Sequence, residues 1–208
     1  KEDFLMTFMA DTEGAKEAVK YLNEVSKLLE GELIVGGHSK GGNFAMFASA
    51  FCDKVVQDRI SRVYNNDGPG FRDEVIKSSE YQAILNKICT IVPQTSMIGQ
   101  LLANESEQKV IESDAVGLYQ HDAMTWKVKK NSFVEAELDA FGNFVDVALG
   151  SWLEKIDDET RLSIVSTVFS MIEETEAETF YEFSDSLFKN TGIIIKGLVK
   201  LPKEKRTE

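Results

Sequence analysis

A serine flanked by glycines stands where a predicted strand gives way to a predicted helix. The segment Gly37-His38-Ser39-Lys40-Gly41 fits the pattern G-x-S-x-G, in which a tight turn lifts the serine hydroxyl above a sheet. We expect strained backbone at Ser39 and a need for small residues at both flanking positions. The N–H groups at a helix start favour developing negative charge, so the backbone N–H of Lys40 is the expected oxyanion donor. Ser39 is the candidate nucleophile, and an ordinary structural turn is the alternative.

A serine nucleophile needs a general base, and histidine is the usual one because its ordinary pKa lies near neutral pH. The chain contains two histidines. His38 adjoins Ser39 on the same strand end, so we expect its side chain to point away from the serine and to pack beneath the turn. His121, between Gln120 and Asp122 in a predicted loop, is therefore the candidate base. A surface or capping role is its alternative.

A carboxylate that orients the base completes such a site and, in this arrangement, lies between the serine and the histidine in the chain. Asp67 ends a predicted strand, at the sheet edge where α/β sites are built. The alternative is that Asp67 caps the turn Asp67-Gly68-Pro69-Gly70. Asp122 and Asp114 are held in reserve, although Asp122 is too close to His121 in the chain to orient its ring easily.

Hydrophobic periodicity predicts strands that alternate with helices over the first 130 residues. The predicted helices cover residues 13–30, 40–56 and 71–86, and the predicted strands cover residues 32–37, 61–66, 88–92 and 109–113. A loop is expected over residues 114–122. This alternation is typical of a parallel sheet covered by helices on both faces.

The pattern changes after about residue 130. Apolar residues repeat at helical spacing in three acidic stretches, so residues 131–208 are predicted to form a helical appendage to a core of residues 1–130. This appendage is expected to cover the site or to make a contact in a homo-oligomer. Docking of another partner is a further possibility.

Composition narrows the classes of partner. A net charge of −12 disfavours nucleic acid and anionic membranes, and the hydrophobic fraction of 43% fits one sizeable packed domain. No apolar run is long enough to span a bilayer. Cys52 and Cys89 have neither disulfide-framework nor zinc-site spacing, so we expect two buried, reduced thiols in a cytoplasmic protein. No metal site and no cofactor are predicted.

Three segments together resemble a bacterial family of lipase-like α/β hydrolases related to the class 3 lipases. They are Gly37-His38-Ser39-Lys40-Gly41-Gly42-Asn43, Asn66-Asp67-Gly68-Pro69-Gly70-Phe71, and Gln120-His121-Asp122 with Trp126 following. The resemblance implies Ser39 as nucleophile and His121 as base. Class 3 lipases carry their acid after the strand that here ends at Val92, where this chain offers Pro93-Gln94-Thr95-Ser96. Either Asp67 supplies the acid from the neighbouring strand, or the triad is incomplete.

The same resemblance covers the first residues of the chain. Lys1-Glu2-Asp3-Phe4 resembles the segment that follows an Arg-Gly-Thr strand end in this family, so we expect the N-terminal strands of the fold to lie upstream. The second oxyanion N–H comes from a loop after such a strand. We therefore expect the 208-residue chain to hydrolyse esters slowly, and a chain extended upstream to be faster.

Together these patterns predict a carboxylester hydrolase that acts on a small-molecule ester or acyl substrate through an acyl-serine intermediate. The rival hypothesis is a non-catalytic binding or scaffolding protein on the same fold, because a fold does not determine a function.

Overall fold

A parallel sheet forms the centre of the molecule. The computed structural model describes residues 12–96, 98–99, 102 and 104–139, and its four-stranded sheet has the order β1-β2-β3-β4 with every neighbouring pair parallel. The strands are β1 (Leu33–His38), β2 (Ile60–Asn66), β3 (Ile88–Pro93) and β4 (Glu107–Ile111). The predicted α/β fold is thereby confirmed. The predicted C-terminal helices lie outside the described residues, and the division of the chain at residue 130 stays a prediction.

Helices precede β1 and connect β1 to β2 and β2 to β3. They are α1 (Glu13–Ser26), α2 (Lys40–Phe51), α3 (Lys54–Gln57), α4 (Asp73–Ile76) and α5 (Ser79–Ile84), with short 3₁₀ helices at Leu85–Lys87, Gly117–His121 and Ala123–Thr125. A short antiparallel pair, β5 (Val128–Lys129) and β6 (Ser132–Phe133), follows the last turn and was not predicted. None of the helices among the described residues is long and apolar enough to cross a membrane.

Helix α1 ends four residues before the position that its apolar pattern predicts. Its start is fixed by Thr12, whose side-chain oxygen accepts a hydrogen bond from the Ala15 N–H. At its end, the Arg59 guanidinium donates to the carbonyls of Ser26 and Gly31 at 2.8 and 2.9 Å. These bonds stabilise a non-helical path after Ser26, so tertiary contacts override the local pattern.

The other two predicted helices are each divided in two. The stretch 40–56 breaks after Phe51, because Cys52 takes an extended conformation. The stretch 71–86 breaks at Ser78, whose hydroxyl accepts from the Tyr81 N–H and caps a new helix. The predicted helical regions are therefore right in location, but the breaks depend on local capping.

The main apolar core lies between α1, α2, α5 and the sheet, and β3 is buried along its whole length. A second, smaller apolar cluster consists of Trp126, Cys89, Ile91 and Ile111. On β1, Ile34 is 70% exposed in the part of the chain that the structure describes. At β3, by contrast, both faces of the sheet are covered, because every residue of this strand is buried.

Candidate active site

Strand register places Ser39 beside Asp67. The last residues of β1 and β2, His38 and Asn66, are paired across the parallel strands. The Ser39 N–H donates to the Asn66 carbonyl at 2.8 Å, which extends the pairing by one position. Ser39 and Asp67 therefore leave the sheet side by side at its carboxyl edge, although different strands carry them.

The backbone at Ser39 is strained, as predicted. Its φ of 57° and ψ of −130° place a non-glycine residue in a region that side chains disfavour, directly before the first residue of α2. A Cβ on Gly37 would lie 2.2 Å from the Gly41 carbonyl oxygen, so position 37 requires glycine. The expected crowding at Gly41 is wrong, since a Cβ there meets nothing within 4 Å. Of the two flanking glycines, Gly37 is therefore the one that the close backbone contact requires.

Two buried asparagines hold the turn that carries Asp67. The Asn65 side chain accepts from the Gly68 N–H and donates to the Gly68 carbonyl, both at 3.0 Å. Asn43, on α2, donates to the carbonyls of Pro69 and Gly70 at 3.1 and 2.9 Å. The Asp67 turn is thus tied to the same helix that begins after Ser39.

His121 joins the serine to the carboxylate. Its Nε2 is 2.9 Å from the Ser39 Oγ, and its Nδ1 is 2.7 Å from the Asp67 Oδ2. A carboxylate oxygen only accepts, so Nδ1 carries hydrogen and Nε2 is left to accept from the serine hydroxyl. Asp67 is 1% exposed, while the His121 side chain is 23% exposed. This arrangement has the connectivity of a serine–histidine–aspartate triad.

The second oxygen of Asp67 is also bonded. Its Oδ1 accepts from the Ser96 hydroxyl at 2.5 Å and from the Gly99 N–H at 3.1 Å. Ser96 is fully buried and follows β3. The sequence does not single out Ser96 as a site residue, because the segment 93–96 contains no carboxylate. The position after the strand was the available clue, but the bond spans 29 residues and depends on the fold.

The turn that carries His121 is anchored next to β3. The Gln120 side-chain oxygen accepts from the Thr95 N–H at 2.8 Å, and its nitrogen donates to the Ala115 carbonyl at 3.1 Å. The indole N–H of Trp126 donates to the Gln120 carbonyl at 2.8 Å. Gln120 and Trp126 therefore hold the backbone of His121 in place, although the sequence marks them only as its neighbours.

His38 does not lie where its position on the strand predicts. Instead of packing beneath the turn, it is exposed, and its Nε2 is 2.7 Å from the His121 carbonyl oxygen. Its ring lies against the His121 ring with centroids 4.6 Å apart. The prediction is wrong because it considered only the strand end, and not the loop that returns to it.

The remaining candidates have other contacts. Lys40 is the first residue of α2, and its ammonium lies 5.6 Å from the centre of the Phe44 ring. Asp122 accepts from the Met124 N–H at 2.9 Å and caps the following turn. Asp114 forms an ion pair with Lys127 at 3.2 Å. The two reserve carboxylates thus have other partners, and Asp67 is the candidate carboxylate that is bonded to His121.

The cysteines offer no competing nucleophile. Both are unpaired and buried. Burial raises the pKa of Cys52 to about 11 and also raises the pKa of Cys89. Both thiols are therefore protonated near neutral pH, whereas a thiol attacks as its thiolate. Among the residues that the structure describes, no group of His, Cys, Asp and Glu side chains is arranged to hold a metal ion.

The fold and the site together define an α/β protein whose strained serine, at a strand-to-helix turn, is bonded to a histidine from a later loop. The model of the Mbeg1-like family matches residues 1–170, and the chain belongs to this family. The family is lipase-like, in agreement with the resemblance drawn from the sequence. No curated protein matches the sequence.

Proposed function

We propose that this protein is a serine hydrolase that cleaves small carboxylic esters through an acyl-serine intermediate. The observation that carries the proposal is the continuous hydrogen-bonded path from the Ser39 Oγ through His121 to the Asp67 carboxylate, with links of 2.9 and 2.7 Å. Membership of a lipase-like family supports the ester as substrate and a relationship to the class 3 lipases.

In the first half-reaction, the Ser39 Oγ attacks the carbonyl carbon of the ester while His121 Nε2 takes the hydroxyl proton. The resulting imidazolium lies against the Asp67 carboxylate, which stabilises its charge and keeps the ring oriented. As the tetrahedral intermediate collapses, the bond to the alkoxy group breaks. The alcohol leaves with the proton from His121, and the acyl group stays on Ser39.

The second half-reaction repeats these steps with water. His121 takes a proton from the water as its oxygen attacks the acyl carbon, and then returns the proton to the Ser39 Oγ as the carboxylic acid leaves. The partial exposure of the His121 side chain, 23%, is consistent with access for water. Base and nucleophile are restored, and no cofactor is consumed.

Negative charge on the tetrahedral oxygen requires nearby donors. In this proposal the backbone N–H of Lys40 is one of them, because Lys40 directly follows the nucleophile and opens α2. A second donor from an upstream strand stays a prediction, as does the faster rate expected of an extended chain.

Ester turnover tests the proposal. We expect the wild-type protein to release nitrophenol from short-chain p-nitrophenyl esters, and Ser39→Ala to lose this activity. Ser79→Ala is the matched control, because Ser79 is an exposed serine at the start of another helix, and it should keep the wild-type rate. Equal rates for wild type and Ser39→Ala, or no turnover above background across several acyl lengths, would contradict the proposal and favour a non-catalytic role.

A further inference from the structure

We propose that His38 is a positioning residue, which holds the turn carrying His121 against the strand end carrying Ser39. The inference rests on the proposed function for its kinetic consequence, while its structural basis is independent. That basis is the hydrogen bond between the His38 Nε2 and the His121 carbonyl oxygen, which are 2.7 Å apart. The two residues are 83 positions apart in the chain.

The bond has one possible direction. A backbone carbonyl only accepts, so the hydrogen lies on the His38 Nε2. This side-chain donor therefore closes a link from the residue before the nucleophile to the backbone of the base. Any shift of the loop relative to β1 must stretch this link as well as the Ser39–His121 bond.

The neighbouring carbonyl is held in the same manner. The Trp126 indole N–H donates to the Gln120 carbonyl at 2.8 Å, so ring N–H groups fix two consecutive carbonyls of the turn. The His38 ring also lies beside the rings of His121 and Trp126, with centroid distances of 4.6 and 6.1 Å. Three rings and two hydrogen bonds thus define the position of the His121 backbone.

Exposure argues against a role in core packing alone. His38 is an exposed residue, and the main apolar core does not include it, so its burial contributes little to folding. Its specific contacts are with the turn that bears the base. A misplacement of about 1 Å in a catalytic group can reduce a rate about a hundredfold, so a small displacement of this turn has a large kinetic effect.

Two substitutions separate the hydrogen bond from the ring contact. His38→Gln keeps an N–H donor at similar reach and removes the ring, whereas His38→Phe keeps a ring and removes the donor. We expect His38→Phe to lower kcat for p-nitrophenyl ester hydrolysis about 10–100-fold, with KM changed less than about threefold. His38→Gln should stay within about threefold of the wild-type kcat. Wild-type kinetics for His38→Phe, or equal losses in both variants, would overturn the proposal.

A second measurement does not depend on turnover. Amide hydrogen exchange over residues 117–126 should be faster in His38→Phe than in the wild type, and unchanged in His38→Gln, while α1 and β2 keep their protection in all three. Unchanged protection of this turn in His38→Phe would contradict the proposal even for an active enzyme. If the wild-type protein is inactive but the exchange pattern appears, the proposed function fails and the anchoring by His38 stands.

Discussion

The carboxylate of Asp67 lies 2.7 Å from the His121 Nδ1, although 54 residues separate them in the chain. Asp67 follows β2, whereas class 3 lipases place their acid after the strand that corresponds to β3. In this chain the segment after β3 supplies Ser96, whose hydroxyl bonds to the same carboxylate at 2.5 Å. Asp67 thus follows the strand next to the one that ends before Ser39, and a residue that follows β3 binds its carboxylate.

The role of Asp67 predicts the effect of a nearly isosteric change. In Asp67→Asn the side chain no longer carries the charge that stabilises the His121 imidazolium or fixes its tautomer. We expect kcat to fall by up to about 10⁴-fold, the magnitude known for serine proteases, with the fold retained. Asp73→Asn, at an exposed position on α4, is the control and should keep the wild-type kcat. A loss of less than tenfold in Asp67→Asn would show that Asp67 does not act as the acid.

We expect Ser96 to support catalysis through its hydrogen bond to Asp67, although its side chain carries no charge. Ser96→Ala removes one of the two donors to the Asp67 Oδ1 and leaves the Gly99 N–H, so the carboxylate is less firmly oriented. We expect about a tenfold loss in kcat. Ser49→Ala is a matched control, because Ser49 is equally buried but donates to the Ala45 carbonyl within α2. Equal effects of the two variants on kcat would contradict the assigned role.

Much of the candidate site could be predicted because its members have strong local patterns. Ser39 stands in a short motif between a strand and a helix, and Asp67 stands in a turn after a strand. Parallel strands bring such ends to one edge, so their proximity follows from the fold class. The proximity of Ser39 and Asp67 can therefore be predicted without any knowledge of side-chain contacts.

The supporting contacts could not be predicted in this way. The bonds of His38 and Ser96 join residues 83 and 29 positions apart, and nothing in the local pattern of either residue indicates its partner. The early end of α1 has a similar origin, because Arg59, which directly precedes β2, donates to the carbonyl of Ser26, the last residue of the helix. Such contacts arise only when distant segments pack together.

The two glycines of the serine motif should respond differently to alanine. Gly37→Ala places a Cβ 2.2 Å from the Gly41 carbonyl oxygen, so the turn must shift, at a cost of about 2 kcal/mol or more in the free energy of unfolding. Gly41→Ala points into open space within a helix, where alanine is favoured by about 0.5–1 kcal/mol. Urea unfolding of both variants measures the difference. A larger loss for Gly41→Ala than for Gly37→Ala would contradict the geometry of this turn.

Tyr81 offers a stabilising substitution. It is fully buried against Phe71, and its hydroxyl has no hydrogen-bond partner among the described residues. Burial raises the pKa of this phenol. Since an unpaired buried hydroxyl is costly, Tyr81→Phe should raise the free energy of unfolding by about 1 kcal/mol. Tyr64→Phe, at a side chain 37% exposed, should change it little. A destabilised Tyr81→Phe would show that the hydroxyl has a partner.

Covalent labelling of the serine tests directly whether Ser39 is the nucleophile. Intact-mass analysis after treatment with a fluorophosphonate should show a single adduct, and peptide mapping should place it on Ser39. The adduct should be absent in Ser39→Ala and should form far more slowly in His121→Ala, because in the proposed mechanism Nε2 of His121 takes the hydroxyl proton. An unmodified wild-type protein under forcing conditions, or an adduct on another residue, would contradict the assignment of Ser39 as the nucleophile.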